Sequence, residues 1–322
     1  MIIGNKVYGE NMTQNTIIQT DSKAIATQDF IDRWLENEQM RGQSETTLEA
    51  YERGFKRFAG WLISNGISQP GALEISRFRS DLSTQYAVQT VNLALSAVRS
   101  FYRYLVEIGA IEYSPAGDVR GVKRSKSTRH KRLALTVPEV RAVLDTCDQT
   151  IAGIRDRAMI MLMVYCGLRT VEVHRANNDD LGTEGERLVL NVQGKGHLEA
   201  DELAIIPISQ EPVLRAWISE RKRLNDVGKA LFVSLSNRTQ GQRLSVRAIR
   251  NIIKSRYELA GVFGDAKTTH SLRHTAITQA IKNGASPMQA QAMARHASFD
   301  TTLGYIHEVN RIENPAEDLI SY

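Results

Sequence analysis

The segments that decide the fold and the site are TTHSLRH at residues 268–274, ARH at 294–296 and TTLGYIH at 301–307. Each lies in a stretch with helical character, so histidines, an arginine and a tyrosine fall within a few helical turns of one another. A phenolate that attacks phosphorus needs a base nearby and cations around the phosphate. Tyr305 is therefore a candidate nucleophile.

Two upstream motifs supply partners for such a nucleophile. Arg169 and Glu172 stand one helical turn apart in Gly-Leu-Arg-Thr-Val-Glu, at the end of an apolar helix. A guanidinium fork grips phosphate oxygens through two hydrogen bonds and stays charged throughout a reaction. Lys195 lies between two glycines in a predicted hairpin turn, where a flexible ammonium can reach a leaving oxygen and donate a proton.

The complete set resembles the tyrosine recombinases, the lambda-integrase and Xer-like family of site-specific DNA recombinases. A His-x-x-Arg or a Gly-Lys-Gly turn alone arises often by chance, but the combination is specific. The resemblance extends from about Phe30 to His307. The matching residues, in the family's order and at roughly its spacings, are Arg169, Glu172, Lys195, His270, Arg273, His296 and Tyr305.

The resemblance implies a reaction. Tyr305 attacks a DNA phosphodiester and forms a 3′-phosphotyrosyl link, which keeps the bond energy so that another 5′ hydroxyl can reseal the strand without ATP. Arg169 and Arg273 clamp the non-bridging oxygens, and Lys195 is the general acid for the leaving 5′ oxygen. No metal ion or cofactor is expected.

The other three matching residues support this chemistry. His270 corresponds to the family position assigned to proton exchange with the tyrosine. His296 is expected to hydrogen-bond the phosphate, and Glu172 to orient Arg169 or a histidine through a buried hydrogen bond.

The sequence departs from the family pattern at two places. The hairpin around Lys195 is several residues longer and carries Glu199, Asp201 and Glu202 where basic residues are frequent. This weakens the expectation that the hairpin contacts DNA. Arg295 stands before the second motif histidine, where a glycine is usual. Both departures favour a mobile element.

Two alternative interpretations of the histidines and tyrosines are less well supported by the sequence. His270 and His274, four residues apart on a helix, could chelate zinc, but the glutamate of the His-Glu-x-x-His motif is absent and no cysteine lies close in sequence. No metal site is therefore predicted. Tyr165 is embedded in an apolar helix and Tyr322 is the last residue, so neither competes with Tyr305.

The chain of 322 residues carries a formal net charge of +5, and its positive charge is concentrated in one run. Such a run can be a solvated tether or a targeting signal. Here it lies between a helical first half and a mixed second half, so we interpret it as a linker whose cations follow DNA phosphates. Its cations are Arg120, Lys123, Arg124, Lys126, Arg129, Lys131 and Arg132.

The apolar patterns predict a mainly α fold with a small antiparallel β-sheet, and the length suits two domains. By resemblance, residues 27–119 form a four-helix SAM-like core-binding domain and residues 134–307 the catalytic domain, which together clamp DNA. Residues 120–133 are the basic linker. Residues 1–26 are a polar tail without much order, and residues 308–322 are a tail for subunit exchange or a frayed terminus.

The periodicity also predicts individual elements. Aromatic residues at helical spacing in the first half are interpreted as a bundle core rather than a base-stacking surface. A first helix is predicted to open with Phe30, Trp34 and Leu35, and a longer one to follow Ser44 and include Leu48 to Leu62. Further helices are predicted at 73–82, 88–108 and 154–168 and again from 210, with strands at 187–192, 203–208 and 231–234.

The resemblance implies double-stranded DNA as partner: a recombination site with inverted repeats, bound by a homotetramer that exchanges strands through a Holliday junction. Integration, excision and dimer resolution stay open as tasks, and the lack of an arm-binding domain favours a simple Xer-like or transposon-borne system. A catalytically inactive DNA-binding architectural protein and a type IB topoisomerase-like enzyme are the alternatives. Two cysteines and the lack of a signal or membrane-spanning stretch predict a cytoplasmic protein.

Overall fold

The computed structural model describes residues 17–20, 23–123, 133–194, 199–224, 228–313 and 316–320. The chain divides into two compact units, Met1–Lys126 and Ser127–Tyr322. The division falls within the basic run. Helices dominate both units, and the second contains an antiparallel sheet of three short strands, so the predicted fold class is confirmed.

The first unit is built on a helical bundle with an aromatic core. Trp34, Phe55 and Phe101 are fully buried, and the Phe55 and Phe101 rings lie 4.2 Å apart. The Trp34 indole donates a 3.0 Å hydrogen bond to Ser100, which satisfies its buried N–H. The predicted aromatic stripe is thus packing. The helices are α1 Thr27–Met40, α2 Glu45–Ser64, α3 Ala72–Gln85 and α4 Val88–Glu107.

Local signals set the ends of these helices. Ser44 accepts a hydrogen bond from the Thr47 N–H and so caps the start of α2. Gly66, just after α2, has a φ of 65°, which a glycine adopts at little cost.

Two short strands precede the bundle, β1 Ile17–Thr20 and β2 Lys23–Ala26, and they pair antiparallel. These eight positions lie within the predicted polar tail, residues 1–26. Their isoleucines and threonine favour extended backbone, and pairing satisfies the strands' backbone groups.

The second unit packs its helices around an apolar core that includes α6, whose residues 158–163 are fully buried where α8 and α10 pack against this helix. Thr136 and Glu139 form a capping box at the start of α5. The helices are α5 Val137–Asp145, α6 Ile151–Tyr165, α7 Thr170–Arg175, α8 Glu211–Lys222, α9 Val246–Leu259, α10 Thr269–Lys282, α11 Pro287–Ala294 and α12 Phe299–Glu313.

The sheet comprises β3 Leu181–Glu184, β4 Arg187–Val192 and β5 Glu202–Ile205, in that order. Val192 lies opposite Glu202 in the pairing of β4 with β5. The strand predicted at 203–208 ends early, because a short 3₁₀ turn follows Pro207.

The strand predicted at 231–234 is wrong. That stretch makes isolated bridges, with Ala230 opposite Asn177 and Val233 opposite Arg243. Its apolar residues are buried against the helices of the core rather than in the sheet, which explains why a strand-like composition gives no strand.

Cys147 and Cys166 are buried free thiols. Burial raises the pKa of the Cys166 thiol to about 12, which keeps it protonated. In the described part of the chain, none of the helices has both the length and the apolar character needed to cross a membrane.

Candidate active site

The candidate site lies where the start of α7 meets α10, α11 and α12. Gly167, with a φ of 65°, turns the chain after α6 and brings Arg169 to the N-terminal end of α7. Arg273 lies on α10 with His270 one turn before it, His296 follows α11, and Tyr305 lies on α12.

Glu172 is the centre of the site's electrostatics. Its carboxylate accepts hydrogen bonds from the Arg169 backbone N–H at 2.8 Å and from Arg169 Nη1 at 2.6 Å. Arg295 Nη2 donates to it at 3.1 Å, and Arg273 Nη1 lies 4.0 Å away. Burial alone would raise the pKa of Glu172, but the Arg295 and Arg169 charges and the Arg169 N–H outweigh it and hold that pKa below its ordinary value. One carboxylate thus neutralises part of the charge of three guanidinium groups.

Arg273 is the most buried of these arginines, with 1% of its side chain exposed. It donates to the Gly167 carbonyl at 2.5 Å and to the Ala294 carbonyl. Burial first, and then the neighbouring charge of Arg169, lower the pKa of Arg273 to about 10. The side chain stays cationic at neutral pH and is fixed in place by both carbonyls.

Arg169 is the most exposed of the three, with 25% of its side chain accessible. It is the N-cap residue of α7 and it pairs with Glu172. These contacts orient the Arg169 side chain and leave part of it accessible to solvent.

His296 is held as a neutral imidazole. Its Nδ1 lies 2.9 Å from Oγ1 of the buried Thr302, one turn before Tyr305 on α12. Burial first, and then the charges of Arg273, Arg169 and other cations, lower the pKa of His296 to about 4. A neutral ring can donate one hydrogen bond and accept another.

Tyr305 is 4% exposed and packs against Ile277 and Ala294. Its ring centroid is 6.0 Å from that of His296 and 4.7 Å from that of His274. The structure therefore brings the tyrosine to both histidines and within electrostatic range of Arg273. His270, on the same helix as Arg273, is partly buried.

The remaining predicted residues fall into two groups. Lys195 lies outside the described residues, and so do Arg124, Lys126, Arg129, Lys131 and Arg132 of the linker. Arg120 and Lys123 are exposed in the first unit.

Two minor predictions need comment. Tyr165 is the last residue of α6 and is 41% exposed, so its expected embedding in the helix core is wrong: the chain turns away at Gly167 and leaves that ring uncovered. His274 donates or accepts through Nδ1 with Thr278 Oγ1 at 3.1 Å and packs edge-on against Tyr305. Within the described residues no three His, Cys, Asp or Glu side chains are grouped as metal ligands.

Sequence reasoning missed two functional neighbours, Thr302 and the role of Arg295. Arg295 has a φ of 51°, the left-handed region, which explains why glycine suits this position. Its side chain is 4% exposed and donates to the carbonyls of Met293 and Gly167 at 2.9 and 3.2 Å besides Glu172. The one available signal was the departure from glycine itself.

Comparison with known proteins gives a consistent result. Residues 134–311 match the model of the phage integrase family, and residues 31–109 match that of the phage integrase N-terminal SAM-like domain. The chain is 31% identical to the tyrosine recombinase XerC of Proteus mirabilis over 277 residues, which cover 83% of this chain and 85% of that protein.

Two solved structures share the fold. The XerH site-specific recombinase bound to palindromic difH substrate, in a post-cleavage complex, superposes with a TM-score of 0.72 at 17% identity, covering 92% of this chain and 84% of that one. The lambda integrase tetramer bound to a Holliday junction gives a TM-score of 0.65 at 19% identity, covering 89% and 78%.

Proposed function

Because the chain belongs to the phage integrase family of tyrosine recombinases, which are DNA strand-exchange enzymes, we propose that Tyr305 cleaves one strand of duplex DNA. Its phenolic oxygen attacks phosphorus and forms a 3′-phosphotyrosyl bond, while the bond from phosphorus to the 5′ oxygen breaks. A 5′ hydroxyl from another duplex reverses the step and completes the exchange. The observation that carries this assignment is the grouping of Tyr305, His296 and Arg273 at one place.

The arginines take the place of a metal ion in this reaction. Arg169 and Arg273 bind the non-bridging oxygens, whose charge grows as the phenolate attacks. Arg273, which is 1% exposed and donates to the Gly167 and Ala294 carbonyls, reaches them only after the shift that also frees Tyr305. Glu172 Oε1 accepts a 2.6 Å hydrogen bond from Arg169 Nη1 and so orients the guanidinium group. The guanidinium therefore loses little conformational freedom when DNA binds. The reaction requires no cofactor, because the DNA phosphodiester bond that breaks and the phosphotyrosyl ester bond that forms have similar energies.

Protons move through three further residues. His270 exchanges the phenolic proton, and His296, kept neutral, donates a hydrogen bond to a phosphate oxygen. Lys195 protonates the leaving 5′ oxygen. The short distance between His296 Nδ1 and Thr302 supports this role, because it leaves Nε2 as the nitrogen for the phosphate.

Burial of Tyr305 sets a condition on the reaction. With 4% exposure the phenol cannot meet a DNA phosphate, so α12 shifts before cleavage. The shift separates the Tyr305 ring from Ile277, Ala294, His274 and His296.

The DNA partner is a recombination site with inverted repeats. The two units clamp the duplex, and the basic run 120–132 that joins them presents cations to its phosphates. A homotetramer exchanges strands through a Holliday junction. The likeness to the lambda integrase tetramer on such a junction supports the assembly. The segment 308–322 links neighbouring subunits of the tetramer. The reaction takes place in the cytoplasm.

The direct test uses a duplex with a nick beside the cleavage position, so that the released oligonucleotide diffuses away and the covalent adduct accumulates. We expect an adduct on a denaturing gel with the native chain and none with Tyr305→Phe, at equal binding in a gel-shift assay. An adduct that persists in Tyr305→Phe places the nucleophile elsewhere.

Two controls separate this function from its alternatives. Adduct formation in EDTA is expected at an unchanged rate, and dependence on a divalent ion contradicts the proposed role of the arginines. Relaxation of any supercoiled plasmid regardless of sequence indicates a topoisomerase-like enzyme, whereas binding without any adduct indicates an architectural protein.

A further inference from the structure

The segment that leaves the helical bundle of the first unit is fastened to that bundle by side chains. The Asn92 amide on α4 donates through Nδ2 to the Val122 carbonyl at 3.0 Å, and its Oδ1 accepts from the Val122 N–H at 2.8 Å. One side-chain amide thus satisfies both backbone groups of one residue. The Val122 side chain also packs against the aromatic core of the bundle. Asn92 therefore holds the Val122 backbone in one orientation.

Two arginines hold the residues just before Val122. Arg99 Nη2 on α4 donates to the Val119 carbonyl, and Arg79 Nη1 on α3 donates to the Arg120 carbonyl at 2.9 Å. The Val119 side chain is 5% exposed and belongs to the bundle core. We call residues 119–123 the strap, because side chains of two helices hold its backbone against the first unit.

The strap carries positive charge on its outer side. Arg120 and Lys123 are exposed, and in the part of the chain that the structure describes neither side chain has an acidic partner. Asp118 is the acidic residue of the stretch 116–123. Arg79 and Arg99, which hold the strap, add two guanidinium groups to the same surface. Cations grouped on a fixed backbone are typical of a surface that binds nucleic-acid phosphates.

We propose that the strap is a phosphate-binding part of the first unit, and that Asn92 is a positioning residue that fixes where Arg120 and Lys123 meet the DNA backbone. This inference rests on the proposed function, in which the chain binds duplex DNA. A held backbone loses little conformational freedom when DNA binds, whereas a free tether has to be ordered first. Asn92 acts through the strap, since its amide is used by the Val122 backbone.

The test measures binding of the full chain to a mixed-sequence duplex of about 30 base pairs, roughly three helical turns, by fluorescence anisotropy at several salt concentrations. Such a probe reports phosphate contacts, which carry no sequence information. Replacing Arg120 and Lys123 together with Gln should flatten the slope of log affinity against log salt concentration by up to about 1.8. Asn92→Ala keeps both cations but releases the Val122 backbone, and it should weaken binding about tenfold.

The combined variant separates positioning from a merely structural role. In the chain that already carries Arg120→Gln and Lys123→Gln, adding Asn92→Ala should weaken binding less than about twofold, because the cations that Asn92 positions are gone. Ser96→Ala is the matched control. Its hydroxyl donates to the Asn92 carbonyl within α4 rather than to the strap, so this variant should bind like the native chain. Thermal melting of each variant shows that the chain is folded.

Hydrogen exchange tests the contact between Asn92 and Val122 without a substitution. In the native chain without DNA, the Val122 amide should exchange at least about tenfold more slowly than an unprotected amide, because its N–H is bonded to Asn92. Exchange at the unprotected rate overturns the inference. An unchanged salt slope without Arg120 and Lys123 overturns it too, and so does an equal effect of Asn92→Ala with and without these cations.

Adduct formation on the nicked duplex, assayed in parallel, separates these failures from failure of the proposed function. If the native chain forms the adduct while one of these three results is found, the enzyme assignment stands and the role of the strap is wrong. If the native chain neither binds duplex DNA nor forms the adduct, the proposed function is wrong and the inference is wrong with it.

Discussion

Arg169 Nη1 lies 2.6 Å from Glu172 Oε1, an ion pair in which the glutamate side chain is fully buried and the arginine side chain is 25% exposed. This difference in exposure indicates different roles for the two side chains. Glu172 is a fixed internal anion, and Arg169 presents the part of its fork that Glu172 does not occupy. Such an arrangement orients a phosphate-binding group before its ligand arrives.

Glu172→Gln should destabilise the second unit, because three guanidinium groups then lie near a neutral amide. Breaking a buried ion pair by removing one partner costs about 3–5 kcal/mol, and the free energy of unfolding in urea should fall by that order. The control is Glu220→Gln, which removes the partner of the exposed Arg223 and should cost about 0–1 kcal/mol. Equal losses in both variants would contradict the central position of Glu172.

Arg169→Lys should slow cleavage far more than it affects folding. The lysine keeps the charge but cannot form two parallel hydrogen bonds to phosphate. By analogy with removal of an oxyanion donor, the cleavage rate should fall about 10²- to 10³-fold. Arg141→Lys, an exposed position on α5, is the matched control. A full cleavage rate in Arg169→Lys means that Arg169 only caps α7.

His296 makes stability depend on pH in a defined window. Its pKa in the folded chain, about 4, is below the ordinary value near 6.5, because of burial and the cations around it. Between these values the unfolded chain binds more protons, so stability is complete above about pH 6.5 and falls as pH drops toward 4.

His296→Gln should flatten this part of the stability profile, measured as the free energy of unfolding in urea at each pH. His307→Gln, at an exposed position on α12, should leave the profile of the native chain unchanged. A profile that is equally steep in His296→Gln assigns the loss of stability to other groups.

The basic run predicts the salt dependence of DNA binding. Each cation that touches a phosphate contributes about 0.9 to the slope of log affinity against log salt concentration. Replacing Arg124, Lys126, Arg129 and Arg132 with Gln should therefore flatten that slope by up to about 3.6 and weaken binding to all sequences alike. An unchanged slope identifies the run as a solvated tether.

The sequence predicted what depends on short-range patterns. Apolar spacing located most helices, and the motifs pointed to Tyr305 and its neighbours. The rest depends on contacts between distant residues. Glu172 and Arg295 are 123 positions apart, and nothing in the local sequence of either predicts their ion pair. The same holds for residues 231–234, whose strand-like composition is buried against helices.

The measurement that tests the account most directly is identification of the residue joined to DNA. The adduct from the nicked duplex is digested with nuclease and protease, and the nucleotide-bearing peptide is sequenced by mass spectrometry. We predict a 3′-phosphotyrosyl bond at Tyr305. A nucleotide on any other side chain, or a 5′-phosphoryl linkage, would contradict the account.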